Sequence, residues 1–471
     1  MPKLQRQNKS DFSGGVQNKT TKRLALPNQL IHALNCEFSS KIGAITGRRG
    51  SNVESTVLAD EEVLTILQWI KNDGTVHYFA SVDDGEASPK VDLYKNASVF
   101  GGAWSKSLED LESATDIFGA NFANMLIVAN GVDAVKSYNG STWSAVTNAP
   151  ATGKFPEVYK QRLFILAENG FLHYSDVVNS AGTGFSSTEW LNRGINPNDG
   201  QKATMLVRHR GRLLIFKEES IYRYDGTNEP EAEIVVGTHS GKSVVVLGEV
   251  FFHHPTGIYK MGSGDPILIS RAVQKYVDGM SSSNWSKVAS GRDLENVYFW
   301  IGDVTIDDPH EHDHGKTYSD VVLVYNVYAE SWTVFTGWNA RTWFYDKTSG
   351  LTYFGTSDGK IVRINYNYAD VDGETTNPIS MEVLFQPEDR GYPEKKKEFH
   401  SVEVIGKFSG NVLIGKSYDD VKQEKALMDK KQVGIITCEE LWIGFSESYS
   451  KVPPRIEEVV IDNVNLLSDA R

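Results

Sequence analysis

The chain has 471 residues, 40% of them hydrophobic and 11% aromatic, with 41 glycines, 2 cysteines and a formal net charge of −13. This length supports a packed core and allows roughly two or three domains or one large β architecture, which argues against disorder. Cys36 and Cys438 cannot frame such a chain, the polar start MPKLQRQNKS carries no secretory signal, and no apolar run approaches the roughly 20 residues that span a bilayer, so a disulfide-rich secreted or integral membrane protein is not expected.

The charge is uneven. Residues 1–50 carry nine Lys or Arg against Asp11 and Glu37, which makes them +7 and the remainder −20. A basic arm on an acidic body signals a partner. The segment reads as an extended arm over residues 1–57, and it mixes basic residues with FSGGV (Phe12–Val16), LIHAL (Leu30–Leu34) and GAITGRRG (Gly43–Gly50). Such mixed patches suit an arm that orders against a neighbour; a solvated tail is the plain alternative.

From Val63 to Asn365 short β-prone runs alternate with glycine turns, and helical periodicity is hard to find. Met125–Gly140, Arg162–Asp176, Arg212–Gly226, Glu249–Gly262 and Leu351–Asn365 share one form, an apolar strand, a turn and a second strand. Hairpin turns near residues 74, 131, 170, 219, 257, 302 and 359 are 38 to 57 residues apart. Four-stranded propeller blades repeat at about 40–50 residues, so residues 58–370 read as a β-propeller of six or seven blades. Tyr138, Tyr174, Tyr224 and Tyr259 recur at equivalent places and read as packing residues, as do Trp143 and Trp332.

Three segments invite a catalytic or binding reading. GTHSGKS (Gly237–Ser243) has three residues between glycine and Gly-Lys-Ser where a phosphate loop needs four, and a strand-like run follows it. SYNGSTW (Ser137–Trp143) is a defective, single copy of the sialidase Asp-box. DDPHEHDHGK is denser: in an extended strand His310, His312 and His314 would share one face and could hold a divalent metal, given a second element to complete the shell. Pro309 and the charge density favour a solvated insertion instead. No cofactor motif stands out, and enzymatic activity is not expected.

Beyond Asp372 the pattern changes. Ile379–Phe408, Asn411–Asp420, Glu440–Ser448 and Ile456–Val464 read as strands of a C-terminal antiparallel β-domain or sandwich over residues 371–471.

Phe12–Gly15, Pro27–Gln29, Ala33–Asn35 and Gly43–Gly50 follow a pattern found at the start of many phage tail proteins. With the length, the propeller-like middle and the C-terminal β-domain, the chain resembles the tail nozzle proteins of short-tailed bacteriophages, also called packaged-DNA stabilisation or head-completion proteins. The resemblance implies a structural virion protein of the tail, made in the host cytoplasm, that forms a ring, expected to be hexameric, below the portal and its adaptor ring. Such a ring retains packaged double-stranded DNA without reading its sequence and conducts it during ejection. It implies contacts with the adaptor and with tail fibres or tailspikes, no membrane segment, no cofactor and no catalytic centre. Phe12, Gly14, Gly15, Arg48 and Arg49 become the expected assembly contacts. An acidic body suits a conduit, because a lumen rich in Lys and Arg would grip phosphate. The alternative is a receptor-binding or glycan-binding propeller of a phage tail.

Overall fold

The computed structural model describes residues 3–18, 25–38, 43–85, 90–96, 100–112, 116–179, 191–197, 199–228, 230–309, 311–416, 423–426 and 431–467. The alternating runs form hairpins because β-branched and aromatic side chains suit both faces of a pleated strand and glycine supplies positive φ at the turns. Gly359 is the most constrained of these: at φ +81° a Cβ would collide with the Leu58 carbonyl oxygen.

Consecutive strands build six four-stranded antiparallel units. Blade 1 runs from Val63–Ile70 to Ser105–Leu111, blade 2 from Phe118–Phe122 to Trp143–Ala145 and blade 3 from Gly153–Tyr159 to Leu191–Gly194. Blade 4 runs from Ala203–His209 to Glu231–Ile234, blade 5 from Val245–Leu247 to Ile267–Leu268 and blade 6 from Ala289–Arg292 to Ser331–Phe335. A seventh unit has three consecutive strands, Thr342–Tyr345, Thr352–Gly355 and Lys360–Tyr366. Its fourth strand is Gly50–Thr56, with Lys360 opposite Thr56 and Arg363 opposite Asn52. The first strand of blade 7 packs beside that of blade 1, which closes the ring. The described residues thus form an all-β propeller of seven units, six made of consecutive strands and one closed from the N-terminal side.

The blade interfaces are filled by apolar cores, and that between blades 5 and 6 is continuous with the core of the C-terminal module. Trp69, Phe79 and Leu93 of blade 1 meet Leu126, Val128 and Tyr138 of blade 2. Phe164 and Leu166 of blade 3 meet Leu206, Ile215 and Tyr224 of blade 4. Tyr353 and Ile361 of blade 7 meet Val63, Tyr78 and Phe100 of blade 1. Each such fully buried large side chain contributes about 1.5–3 kcal/mol. The recurrent tyrosines take part: Tyr138 lies 5.3 Å from Trp69 across the blade 1–2 interface, and Tyr224 lies 6.3 Å from Phe164 across the blade 3–4 interface.

The outer edge of blade 6 is not a free edge. Leu30–Leu34 pairs with it in parallel, Leu34 opposite Val334, and pairs antiparallel on its other side with Ile379–Phe385. Trp442–Tyr449, Asn411–Gly415 and Gln423–Ala426 extend the sheet further. A second sheet joins Lys397–Lys407, Lys431–Cys438 and Arg455–Leu466 to the N-terminal strands Lys3–Leu4, Gln7–Lys9 and Ile45–Gly47. The two sheets share one core, in which Val383, Phe385 and Phe445 meet Phe399, Ile461 and Val464. The N-terminal segment is extended, as expected, but it lies along its own chain.

Candidate functional site

The seam between propeller and C-terminal module gathers the polar residues that stand out. Its first part is a clasp made by the N-terminal segment. Gly15, at φ +62°, seats the Phe12–Val16 turn against blade 6, where a Cβ would press on Ser331 and the Trp332 backbone. The Val16 N–H donates to the Trp332 carbonyl at 3.0 Å, the Gly14 N–H to the Asn28 carbonyl at 3.0 Å and the Leu30 N–H to the Gly15 carbonyl at 2.8 Å. Phe12 is fully buried with its ring 5.3 Å from that of Phe385.

Arg48 is the centre of the clasp. It is 1% exposed and all five of its N–H groups are engaged. Nη1 and Nη2 grip the Asp370 carboxylate at 3.1 and 2.7 Å, and Nε donates to Asn35 Oδ1 at 3.0 Å. The remaining two reach the Arg49 and Thr336 carbonyls, and the guanidinium lies 4.6 Å from the Trp338 ring centre. Asn35 in turn donates to Thr336 Oγ1 and the Ser380 carbonyl. Burial pushes the Asp370 carboxyl upward, but the charge and hydrogen bonds of Arg48 outweigh it and hold the group below the ordinary range. Propeller, N-terminal strand and C-terminal module therefore meet at one ion pair with a buried arginine and a partly buried carboxylate.

This placement revises the expected assembly contacts. Phe12, Gly15 and Arg48 are buried within this chain because they fill its seam, and Gly14 is half-buried in the same turn; only Arg49 is exposed. Of the other basic residues of the arm, Lys3 and Arg6 are exposed and Lys9 is buried 3.5 Å from Glu388. Lys19, Lys22, Arg23 and Lys41 lie outside the described residues.

The second part is a buried histidine cluster. His310 lies outside the described residues. Residues 311–315 form turns, so the expected one-faced strand does not arise. Instead His312 is 11% exposed at the side chain and turns inward, while His314 is exposed. The second element that the histidines needed comes from afar: His32 on Leu30–Leu34 and Glu382 on Ile379–Phe385. The His32 and His312 ring centres are 4.7 Å apart. His32 Nε2 lies 3.5 Å and His312 Nε2 4.0 Å from Glu382 Oε1. The Tyr276 hydroxyl is 3.2 Å from His32 Nδ1, and Asp313 Oδ1 is 3.7 Å from His312 Nδ1. Lys275 Nζ sits 3.1 Å from both Glu311 and Asp313, and the Tyr318 hydroxyl donates to Asp313 at 2.8 Å. Burial pushes His312 down to about 4 and His32 well below the usual histidine range, so both rings are neutral at pH 7. Three such residues, His32, His312 and Glu382, place possible metal-ligating atoms within 4.8 Å of one another.

A third feature is a cavity of about 420 Å³ between the N-terminal segment and blade 6, lined by Glu37, Phe38, Asn296, Tyr298 and Tyr328 among others. The Gly237–Ser243 segment is a buried turn: Thr238 Oγ1 and Ser243 Oγ are 2.8 Å apart, and the strand Val245–Leu247 follows.

His32 and Glu382 escaped sequence reasoning, since 350 residues separate them. The one local signal was a histidine inside the otherwise apolar run LIHAL.

No family model matches the chain, and no curated protein matches it. Among solved structures, it is similar to Raptor of Chaetomium thermophilum (10% identity, 69% of this chain and 29% of that one, TM-score 0.44). It is similar to PorZ, a surface component of the type-IX secretion system of Porphyromonas gingivalis (14% identity, 70% and 42%, TM-score 0.41). It is also similar to the computationally designed Ika8 protein (11% identity, 67% and 99%, TM-score 0.40). The chain spans under half of PorZ and of Raptor.

Proposed function

We propose that the protein is a structural component of a phage tail, a ring-forming nozzle or hub that attaches below the portal-adaptor ring, retains packaged DNA and conducts it during ejection. The observation that carries this reading is the N-terminal pattern Phe12–Gly15, Pro27–Gln29, Ala33–Asn35 and Gly43–Gly50, which resembles the start of tail proteins. In this reading the pattern serves assembly indirectly. The clasp fixes the C-terminal module on the propeller, and a subunit that must withstand packaged-DNA pressure gains from a rigid seam. The −20 charge of residues 51–471 favours passage of DNA over adhesion to it. The reading assigns no catalytic step to any residue.

Mass photometry of the purified protein, alone and with portal and adaptor, tests it. The expected result is a closed oligomer, six copies of a 52.4 kDa subunit, that joins the adaptor. A strict monomer that ignores the tail complex would remove the proposal.

The cavity beside blade 6 favours a second reading, a glycan-binding tail propeller. Tyr328 is 77% exposed beside Phe38, Asn296 and Glu37, a mix of aromatic and polar groups that suits a sugar ring. Glycan-array binding that Tyr328→Ala abolishes would favour this reading over the first.

A further inference from the structure

We propose that His32, His312 and Glu382 form a site for one first-row divalent cation, zinc being the best match, at the seam between the propeller and the C-terminal module. The proposal is independent of the tail reading.

The donor set is two imidazoles and one carboxylate, a combination that holds zinc and leaves a fourth position for water. Ligand atoms about 2.0–2.1 Å from a tetrahedral ion lie roughly 3.4 Å from one another. The separations here are 3.5 Å from His32 Nε2 to Glu382 Oε1 and 4.0 Å from His312 Nε2 to the same oxygen, and all three ligand atoms lie within 4.8 Å of one another, so an ion would draw the two imidazoles inward by side-chain rotation. His32 supplies the independent sign. Its side chain is fully buried in a strand whose five residues are all buried, yet its Nε2 makes no hydrogen bond. A buried imidazole nitrogen without a hydrogen bond is costly, and an apolar residue would serve a purely structural strand better.

The surroundings suit metal-bound histidines. A ligating histidine ordinarily donates its other ring N–H to an oxygen, which fixes the tautomer. Here Tyr276 Oη stands 3.2 Å from His32 Nδ1, and Asp313 stands 3.7 Å from His312 Nδ1 and 4.0 Å from His32 Nδ1. Glu311, His312 and Asp313 also lie close enough to share an ion, but Lys275 Nζ already sits on both carboxylates and repels a cation there. Lys275 is thereby neutralised, and Glu382 remains the carboxylate facing the imidazoles. Glu382 is 29% exposed and lines an open groove with Lys316, Ser409 and Glu447, which gives an ion its route in. The three ligands come from the N-terminal strand, the blade 6 hairpin and the C-terminal module, so the ion would staple three segments.

The test uses the untagged full chain, stripped with chelator and titrated with zinc chloride by calorimetry, with metal content and thermal unfolding measured alongside. The expected result is one zinc per chain, a rise in unfolding midpoint with zinc concentration, and visible d–d bands when cobalt(II) replaces zinc. Glu382→Gln, nearly isosteric and partly exposed, keeps the fold and loses the bound ion; His312→Ala does the same; His314→Ala leaves binding unchanged. A stripped chain that takes up no stoichiometric zinc overturns the proposal. So does a folded Glu382→Gln chain that binds zinc as tightly as the parent, or a His314→Ala chain that binds as poorly as His312→Ala.

Discussion

Replacing Arg48 tests the clasp directly. The Arg48→Ala change removes five donated hydrogen bonds and leaves Asp370, 25% exposed, with only Ser51 and Trp338 to satisfy it. At an effective dielectric constant of 20 and about 4 Å between charge centres, the lost attraction is roughly 4 kcal/mol. Breaking one partner of a fully buried pair costs about 3–5 kcal/mol and of a surface pair about 1 or less, so with Asp370 a quarter exposed the expected loss is about 2–3 kcal/mol. Arg48→Lys keeps the charge but loses the fork and the bond to Asn35, and should fall between the parent and Arg48→Ala. The double change Arg48→Met with Asp370→Leu leaves no unpaired charge but takes the acceptor from Ser51 and Trp338, so it should recover only part of the loss. Urea unfolding followed by tryptophan fluorescence reads all four proteins, since Trp338 lies against the pair. A loss below about 1 kcal/mol for Arg48→Ala, the value of a surface ion pair, would refute the buried-clasp reasoning.

Three further outcomes follow from the same geometry. Phe12→Ala should cost about 3–5 kcal/mol in urea unfolding, because a fully buried ring leaves a cavity; a silent change would return Phe12 to the role of an outward contact. Gly359→Ala should destabilise the closing blade by more than the roughly 1 kcal/mol of an unstrained exchange, since both φ and the Leu58 carbonyl oppose a side chain; an unchanged thermal midpoint contradicts this. His253 is fully buried with neither ring nitrogen hydrogen-bonded, and burial, then His254 and His239, lower its pKa to about 3. The unfolded chain binds the proton near pH 6.5 and the folded chain does not, so stability is complete above that pH and falls as the pH drops towards 3. At pH 5 the loss is on the order of 2 kcal/mol, and His253→Leu should flatten that part of the urea-stability profile between pH 7 and pH 5; an equal slope in both proteins would refute the assignment.

The propeller was legible because its information is local. Alternating apolar residues with glycine turns specify hairpins one at a time, and Met125–Ala129 and Arg212–Lys217 form strands where their patterns place them. What escaped the sequence depends on distant partners. Gly50–Thr56 looked like the end of an arm, yet it closes blade 7 against residues some 300 positions away. Arg48 looked like a surface charge because nothing nearby announces Asp370 or Trp338. The histidines after Pro309 read as a solvated insertion, with a metal site only if an extended strand set His310, His312 and His314 on one face. Turns send His312 inward and His314 outward, and a distant strand and the C-terminal module supply the partners. A +7 segment suggested contact with another molecule, whereas Phe12 and Arg48 bind this one.

A reconstruction of the tail particle containing this chain tests the functional proposal most directly. The proposal predicts copies arranged as a closed ring around the central channel, directly below the adaptor. A single or peripheral copy, or a position on a fibre remote from the channel, would contradict it.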